Sequence, residues 1–180
     1  MTPAERERAM TLLDETHQRL LGTTRGLTQA QWHFKPAPDR WSVAEIVEHI
    51  AFVEGGILKG IQKALPKEPT SVKPFMADDA FVERIVGRVD RAKAPDVVAP
   101  SGRWRLEELI PEFEAARRRS IEFAKTTSAP LRQHSYPHPF LGELDCYEWL
   151  LVIPSHCERH RRQAEEVMAA PDFPRAAAAP

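Results

Sequence analysis

The sequence predicts an all-α protein, one four-helix bundle over residues 1–170 followed by a flexible C-terminal tail at 171–180. Three observations carry that expectation. Four long segments repeat apolar residues at spacings of three and four, the period of a helix with one buried face. The stretches between them hold most of the chain's 16 prolines, which interrupt helices. Strand-like alternation of apolar and polar residues is absent. A chain of 180 residues suits one domain with a core of useful size.

The first helix is expected to start at Thr2, with Pro3 at its first position and Glu5 three residues after the cap. Leu13, His17, Leu20, Thr24 and Leu27 then form its inner stripe. Residues 31–40 contain Pro36 and Pro38 and must leave the helix. Ser42 followed by Glu45 is a capping box opening the second helix, whose inner face is Ile46, His49, Ile50, Val53 and Ile57. Residues 75–100 read as a crossover holding a short helix from about Asp78 to Lys93, with Phe81, Ile85, Val86 and Val89 apolar. The third helix runs from about Leu106 to Lys125 on Leu109, Ile110, Phe113, Ala116 and Phe123, with Pro111 marking a first turn that is separate or kinked. Residues 133–142, carrying Pro137 and Pro139, form a loop. Asp145 with Glu148 caps the fourth helix, which ends before Pro171 and turns Trp149, Ile153, His156, His160, Gln163 and Val167 inward. Pro154 removes a backbone donor just ahead of the two histidines and should bend that helix.

Composition narrows the function classes. The chain has 25 basic and 26 acidic residues for a net charge of −1, with 42% hydrophobic and 28% charged residues. A phosphate-gripping surface would show a basic excess, so no nucleic-acid partner is expected. The arginine clusters Arg117, Arg118 and Arg119, and Arg159, Arg161 and Arg162, sit among glutamates and read as solvated helix faces. The charged segment Met1–Leu13 does not read as a signal peptide. No apolar run approaches the ~20 residues that cross a bilayer, so no membrane partner is expected. The two cysteines, Cys146 and Cys157, would lie roughly 16 Å apart along one helix, too far for a mutual disulfide. A reducing, cytoplasmic location follows.

Seven histidines carry the chemistry. His156 and His160 are four apart on one helical face, where two imidazoles can converge on one ion. His49, inward on a facing helix, would supply a third ligand and leave a position open for water or substrate, the mark of a catalytic rather than a closed site. The spacing alone is common by chance: His134 and His138 share it, but Pro137 and Pro139 forbid the helix that would align them. A lone inward histidine is also an ordinary core residue. Three on the inner faces of two helices are costlier to bury without a common partner.

Several segments resemble the DinB-like superfamily, most closely its branch of YfiT-type metal-dependent hydrolases. They are Trp41-Ser42-Val43-Ala44-Glu45-Ile46-Val47-Glu48-His49-Ile50, Pro100-Ser101-Gly102-Arg103-Trp104, Leu141-Gly142-Glu143-Leu144, and Glu148-Trp149-Leu150 through His156, His160 and Gln163. The resemblance implies an up-down-down-up bundle with a long crossover between its second and third helices. It also implies a divalent metal, zinc or nickel, on the residues matching His49, His156 and His160. Members of known activity include thiol-dependent transferases and an isomerase that use low-molecular-weight thiols. A homodimer is compatible with the resemblance, though no feature of the sequence fixes it.

The leading expectation is an enzyme whose metal lowers the pKa of a bound water or thiol, making a nucleophile near neutral pH. Hydrolysis and thiol transfer to a small-molecule substrate both remain open, because no inward carboxylate stands out as a general base and Glu45 is used in a cap. Gln163, within a turn of His160, is a candidate partner behind that ligand. His138 is a candidate for the site entrance. A second enzyme reading makes Cys157, three residues before His160, the nucleophile; its alternative is a packed core thiol. Trp32, Trp41, Trp104 and Trp149 read as core anchors. The non-enzyme alternative is a metal-binding or stress-response bundle without catalysis.

Overall fold

The computed structural model of the chain describes residues 1–70, 73–87 and 95–175. The helices are α1 (Pro3–Thr24), α2 (Gln29–His33), α3 (Val43–Ala64), α4 (Asp78–Val86), α5 (Leu106–Thr126) and α6 (Cys146–Met168). Three of the four bundle helices open on the expected boxes. In each of Thr2/Glu5, Ser42/Glu45 and Asp145/Glu148, the cap side chain accepts the third amide while the glutamate reaches back to the cap amide. Such a cap contributes about 1 kcal/mol and fixes where the helix begins. The two helices with an interior proline run on, α5 through Pro111 and α6 through Pro154.

Side-chain contacts fix the directions of α1, α3, α5 and α6. Tyr147 donates to the Glu5 carbonyl (2.9 Å) and Arg161 to Thr23 Oγ1 (3.3 Å), so α1 and α6 run parallel. Arg6 donates to the Ala124 carbonyl while Arg117 donates to the Leu13 carbonyl, so α5 runs against α1. His49 meets His156, and Trp41, ahead of it, meets His160, so α3 runs against α6. Arg103 pairs with Glu48, and Arg117 with Glu54, so α3 and α5 are parallel. The order is up-down-down-up. A parallel pair demands a long return, since the 22 residues of α3 rise roughly 33 Å. The crossover through α4 supplies it.

Two apolar clusters fill the bundle. One gathers Leu13, Ile57, Ile61, Phe81, Tyr147 and Leu150; the other gathers Leu20, Ile46, Ile50, Phe113, Cys157 and Val167. Between them in height lie Thr16, Glu54, Arg117 and Ser120, all buried. Arg117 is 0% exposed, which overturns its expected place on a solvated face; Arg118 and Arg119 are exposed as expected. Its Nε and Nη2 donate to Glu54 (2.9 Å each), and its Nη1 donates to the Leu13 carbonyl and to Thr16 Oγ1 (2.8 Å). The pair thereby ties α1, α3 and α5 together across the core.

Other expectations change. Residues 133–142 are not a plain loop: β1 (Ser135–His138) pairs antiparallel with β2 (Gly142–Asp145), with Gly142 in the left-handed region at φ 76°. The strands are too short for alternation to show in sequence. Residues 29–33 add the short helix α2, opened by a Thr28/Gln31 box. The crossover helix stops at Val86; its expected continuation over 88–93 lies outside the described residues. The stretch expected as a tail begins docked, with Phe173 edge-on to Phe34 (5.5 Å) and the Pro174 carbonyl accepting from Gln31 Nε2 (2.9 Å). An aromatic ring finds apolar cover there, whereas the alanines after Arg175 lie outside the described residues. No helix among the described residues is long and apolar enough to cross a membrane.

Candidate metal centre

His49 shares the buried face of α3 with Ile46, Ile50 and Ile57, and meets His156 of α6. His156 and His160 stand one turn apart on α6, and their ring centroids are 4.4 Å apart. The His49 ring lies 4.9 Å from His156 and 4.6 Å from His160. One nitrogen from each of the three lies within 4.8 Å of the others. Among the described residues this is the one group of three or more His, Cys, Asp or Glu side chains so gathered. His49 is 2% exposed, while His156 and His160 keep partial access to solvent.

The hydrogen bonds assign the nitrogens. His49 Nδ1 lies 2.8 Å from the Val98 carbonyl, which only accepts, so Nδ1 carries the proton and Nε2 a lone pair. His160 Nδ1 lies 2.9 Å from Gln163 Oε1, an amide oxygen that accepts from it as the Val98 carbonyl does from His49. Nε2 of His49 and Nε2 of His156 are 3.1 Å apart. Tetrahedral ligands on bonds of ~2.0–2.1 Å stand roughly 3.3 Å from one another, so this separation fits a shared cation. Burial first, opposed by the Val98 contact, holds His49 below the ordinary imidazole value of 6.5. Burial, then the neighbouring His160 and His49, push His156 well below it. Both rings are therefore neutral at pH 7, the state in which imidazole binds a metal.

Trp41 closes one side. Its ring stacks on His160 at 6.0 Å and tilts against His49 at 4.9 Å, so it walls the histidine cluster as well as anchoring the core. Behind α3, Glu48 and His49 are both gripped by the chain between residues 98 and 103. Glu48 Oε1 accepts from the Ser101 amide (2.8 Å), the Arg103 amide (3.3 Å) and Arg103 Nη1 (2.8 Å); Oε2 accepts from the Gly102 amide (3.1 Å). Sequence reasoning gave Glu48 no role. The available signal was an acidic residue beside an inward histidine, together with a Ser-Gly turn that binds it.

The remaining candidates separate. Gln163 touches His160 as expected. His138 ends β1, tilted against Trp149 at 4.9 Å, and its Nδ1 accepts from the Phe140 and Leu141 amides (3.1 and 3.2 Å). Its proton is thus on Nε2, and burial lowers its pKa. Glu45 is occupied by its cap and by Lys35 (2.7 Å). Cys157 stands apart from the three histidines. It is buried facing α1, its thiol donates to the Thr16 carbonyl (3.8 Å), and burial, only partly offset by Arg117, pushes it up to about 11. It follows His156 directly, about 100° round the helix from that ring, and is turned to α1 rather than to α3.

Comparison with known proteins agrees with this architecture. A family model of the DinB superfamily matches residues 12–164. Uncharacterized protein YuaE of Bacillus subtilis (strain 168) is 23% identical over 164 residues, 88% of this chain and 96% of that protein. Among solved structures, YfiT from Bacillus subtilis is described as a probable metal-dependent hydrolase with an unusual four-helix bundle topology. It is similar to this chain with a TM-score of 0.62 and 14% identity, over 93% of this chain and 88% of that one.

Proposed function

This chain belongs to the DinB superfamily, and we propose that it is a metal-dependent enzyme whose His49, His156 and His160 hold one divalent ion, zinc or nickel, through Nε2. The observation that carries the proposal is the convergence of three imidazoles, two of them with Nδ1 already committed to a carbonyl oxygen. An ion so held would supply Lewis acidity, which makes a water or a low-molecular-weight thiol nucleophilic near neutral pH. The chain's own residues do the rest. Val98 and Gln163 orient two of the ligand rings, and Trp41 screens them from water on one side. His138, held with its proton on Nε2, offers a neutral donor at the site entrance for a small-molecule substrate. The description of YfiT supports hydrolysis, and the open ligand position is equally suited to a thiol.

Protein purified without an affinity tag should carry close to one divalent ion per chain, and His156→Ala should lose it while remaining helical. The loaded protein is then offered activated esters and amides, and separately bacillithiol, mycothiol or glutathione with a reactive electrophile. A rate above that of free metal in either set, abolished in His156→Ala, identifies the reaction class. Bound metal with no rate in any set would leave a metal-binding bundle without catalysis, and equal metal in His156→Ala would remove the assignment.

A further inference from the structure

We propose that Glu48 is a positioning residue for the metal centre: its carboxylate folds the 98–103 segment so that the Val98 carbonyl meets His49 Nδ1. The inference rests on the metal reading above, and adds to it the device that readies one ligand.

Glu48 is 4% exposed yet carries a charge, so something must compensate it. Three consecutive amides, Ser101, Gly102 and Arg103, converge on it together with Arg103 Nη1. Consecutive amides aim at one anion only when the backbone curls into a concavity. Gly102 makes the curl at φ 71°, a left-handed conformation that side chains resist. Arg103 Nη1 also donates to the Ala99 carbonyl (2.8 Å), and its guanidinium lies over the Phe52 ring at 4.0 Å. The loop is therefore stitched at both ends to the outer face of α3, with the Val98 carbonyl at its entry 2.8 Å from His49 Nδ1.

Adjacent positions on a helix point about 100° apart. A loop fixed on Glu48 can therefore reach round to the far nitrogen of His49 without entering the site. Without the carboxylate the amides lose their common acceptor, the carbonyl moves off, and His49 is free to put its proton on Nε2. That tautomer has no lone pair where the ion needs one. Glu48 acts through Val98 and His49 and touches neither metal nor substrate.

The test uses the full chain with 15N-labelled histidine, metal-free and then titrated with zinc against a chromophoric chelator. In the wild type the His49 proton should sit on Nδ1 and exchange slowly. In Glu48→Gln that proton should exchange fast or appear on Nε2, and zinc affinity should fall about tenfold or more, as for other partners behind a ligand. Arg103→Met, which removes one of four donors and spares the fold, should shift both readings in the same direction by less; Arg103→Lys should recover part of the loss. Glu48→Gln with the proton still on Nδ1 and unchanged affinity would overturn the inference. If Glu48→Gln does not fold, Arg103→Met with both readings unchanged would overturn it. Wild-type protein that binds no zinc while its His49 proton responds as described would sink the metal reading and leave the latch standing.

Discussion

Replacing Glu54 by leucine should be among the most damaging single changes in this bundle. The Arg117 guanidinium has 0% exposure and spends Nε and Nη2 on that carboxylate. With Glu54 gone, the guanidinium's hydrogen bonds to the Leu13 carbonyl, Thr16 Oγ1 and the Cys157 thiol remain, and none of these is a carboxylate. Stranding one member of a buried ion pair costs about 3–5 kcal/mol. For a chain of this size that lowers the melting temperature by roughly 6–20 °C. The double variant Glu54→Leu/Arg117→Met removes both charges and leaves Thr16 its bond to the Leu12 carbonyl (2.7 Å). It should return to within about 1 kcal/mol of wild type, or exceed it, because a matched apolar replacement avoids the cost of desolvating both ions. Urea denaturation of the wild type, both single variants and the double variant closes the cycle. Two single losses that simply add in the double variant would refute the claim that the ions compensate each other.

Three further outcomes follow from the same structure. Both thiols are buried and burial pushes them up, Cys157 to about 11 and Cys146 to about 12. A chromogenic disulfide reagent should therefore label neither in the native state at pH 8 and two per chain in urea; rapid native labelling would reopen the cysteine reading. Gly60→Ala would set a Cβ 2.6 Å from Tyr136 Oη and 2.7 Å from its Cζ, forcing Tyr136 off its stack on Trp149 (4.3 Å). A thermal melt should register a loss of about 1–3 kcal/mol. Burial raises the Glu5 carboxyl, but the Thr2 amide and Arg132 outweigh it and hold the group below its ordinary 4.5. Its contribution is whole above that value and is lost as pH falls through the lower folded value. Glu5→Gln should accordingly flatten the fall in melting temperature below pH 4.5, and an unchanged slope would discount the group.

Most of the bundle was legible because local chemistry decided it. The boxes at Thr2, Ser42 and Asp145 announced three helix starts, and apolar spacing gave the inner faces. The two histidines on α6 were legible for the same reason, being one helical turn apart, and the apolar spacing of α3 put His49 on its inner face. Directions of the four helices depended on the resemblance, since periodicity says nothing of which helix neighbours which. What stayed hidden was tertiary. Arg117 carries the same local pattern as Arg118 and Arg119, and only the arrival of Glu54 from α3 separates its fate from theirs. Glu48 reads as an ordinary helix charge until the 98–103 segment folds over it. The hairpin at 135–145 is too short for period-two patterning, and its prolines argued for a loop. Phe173 needed Phe34, far away in sequence, before the start of the expected tail had anywhere to pack.

X-ray absorption on the zinc-loaded protein addresses the central claim without reference to any substrate. Three imidazole nitrogens at ~2.0–2.1 Å are expected, with the outer-ring scattering that marks histidine and a remaining light-atom ligand. In His49→Ala the imidazole count should drop to two. A sulfur shell near ~2.3 Å, or an imidazole count that does not respond to His49→Ala, would contradict the site.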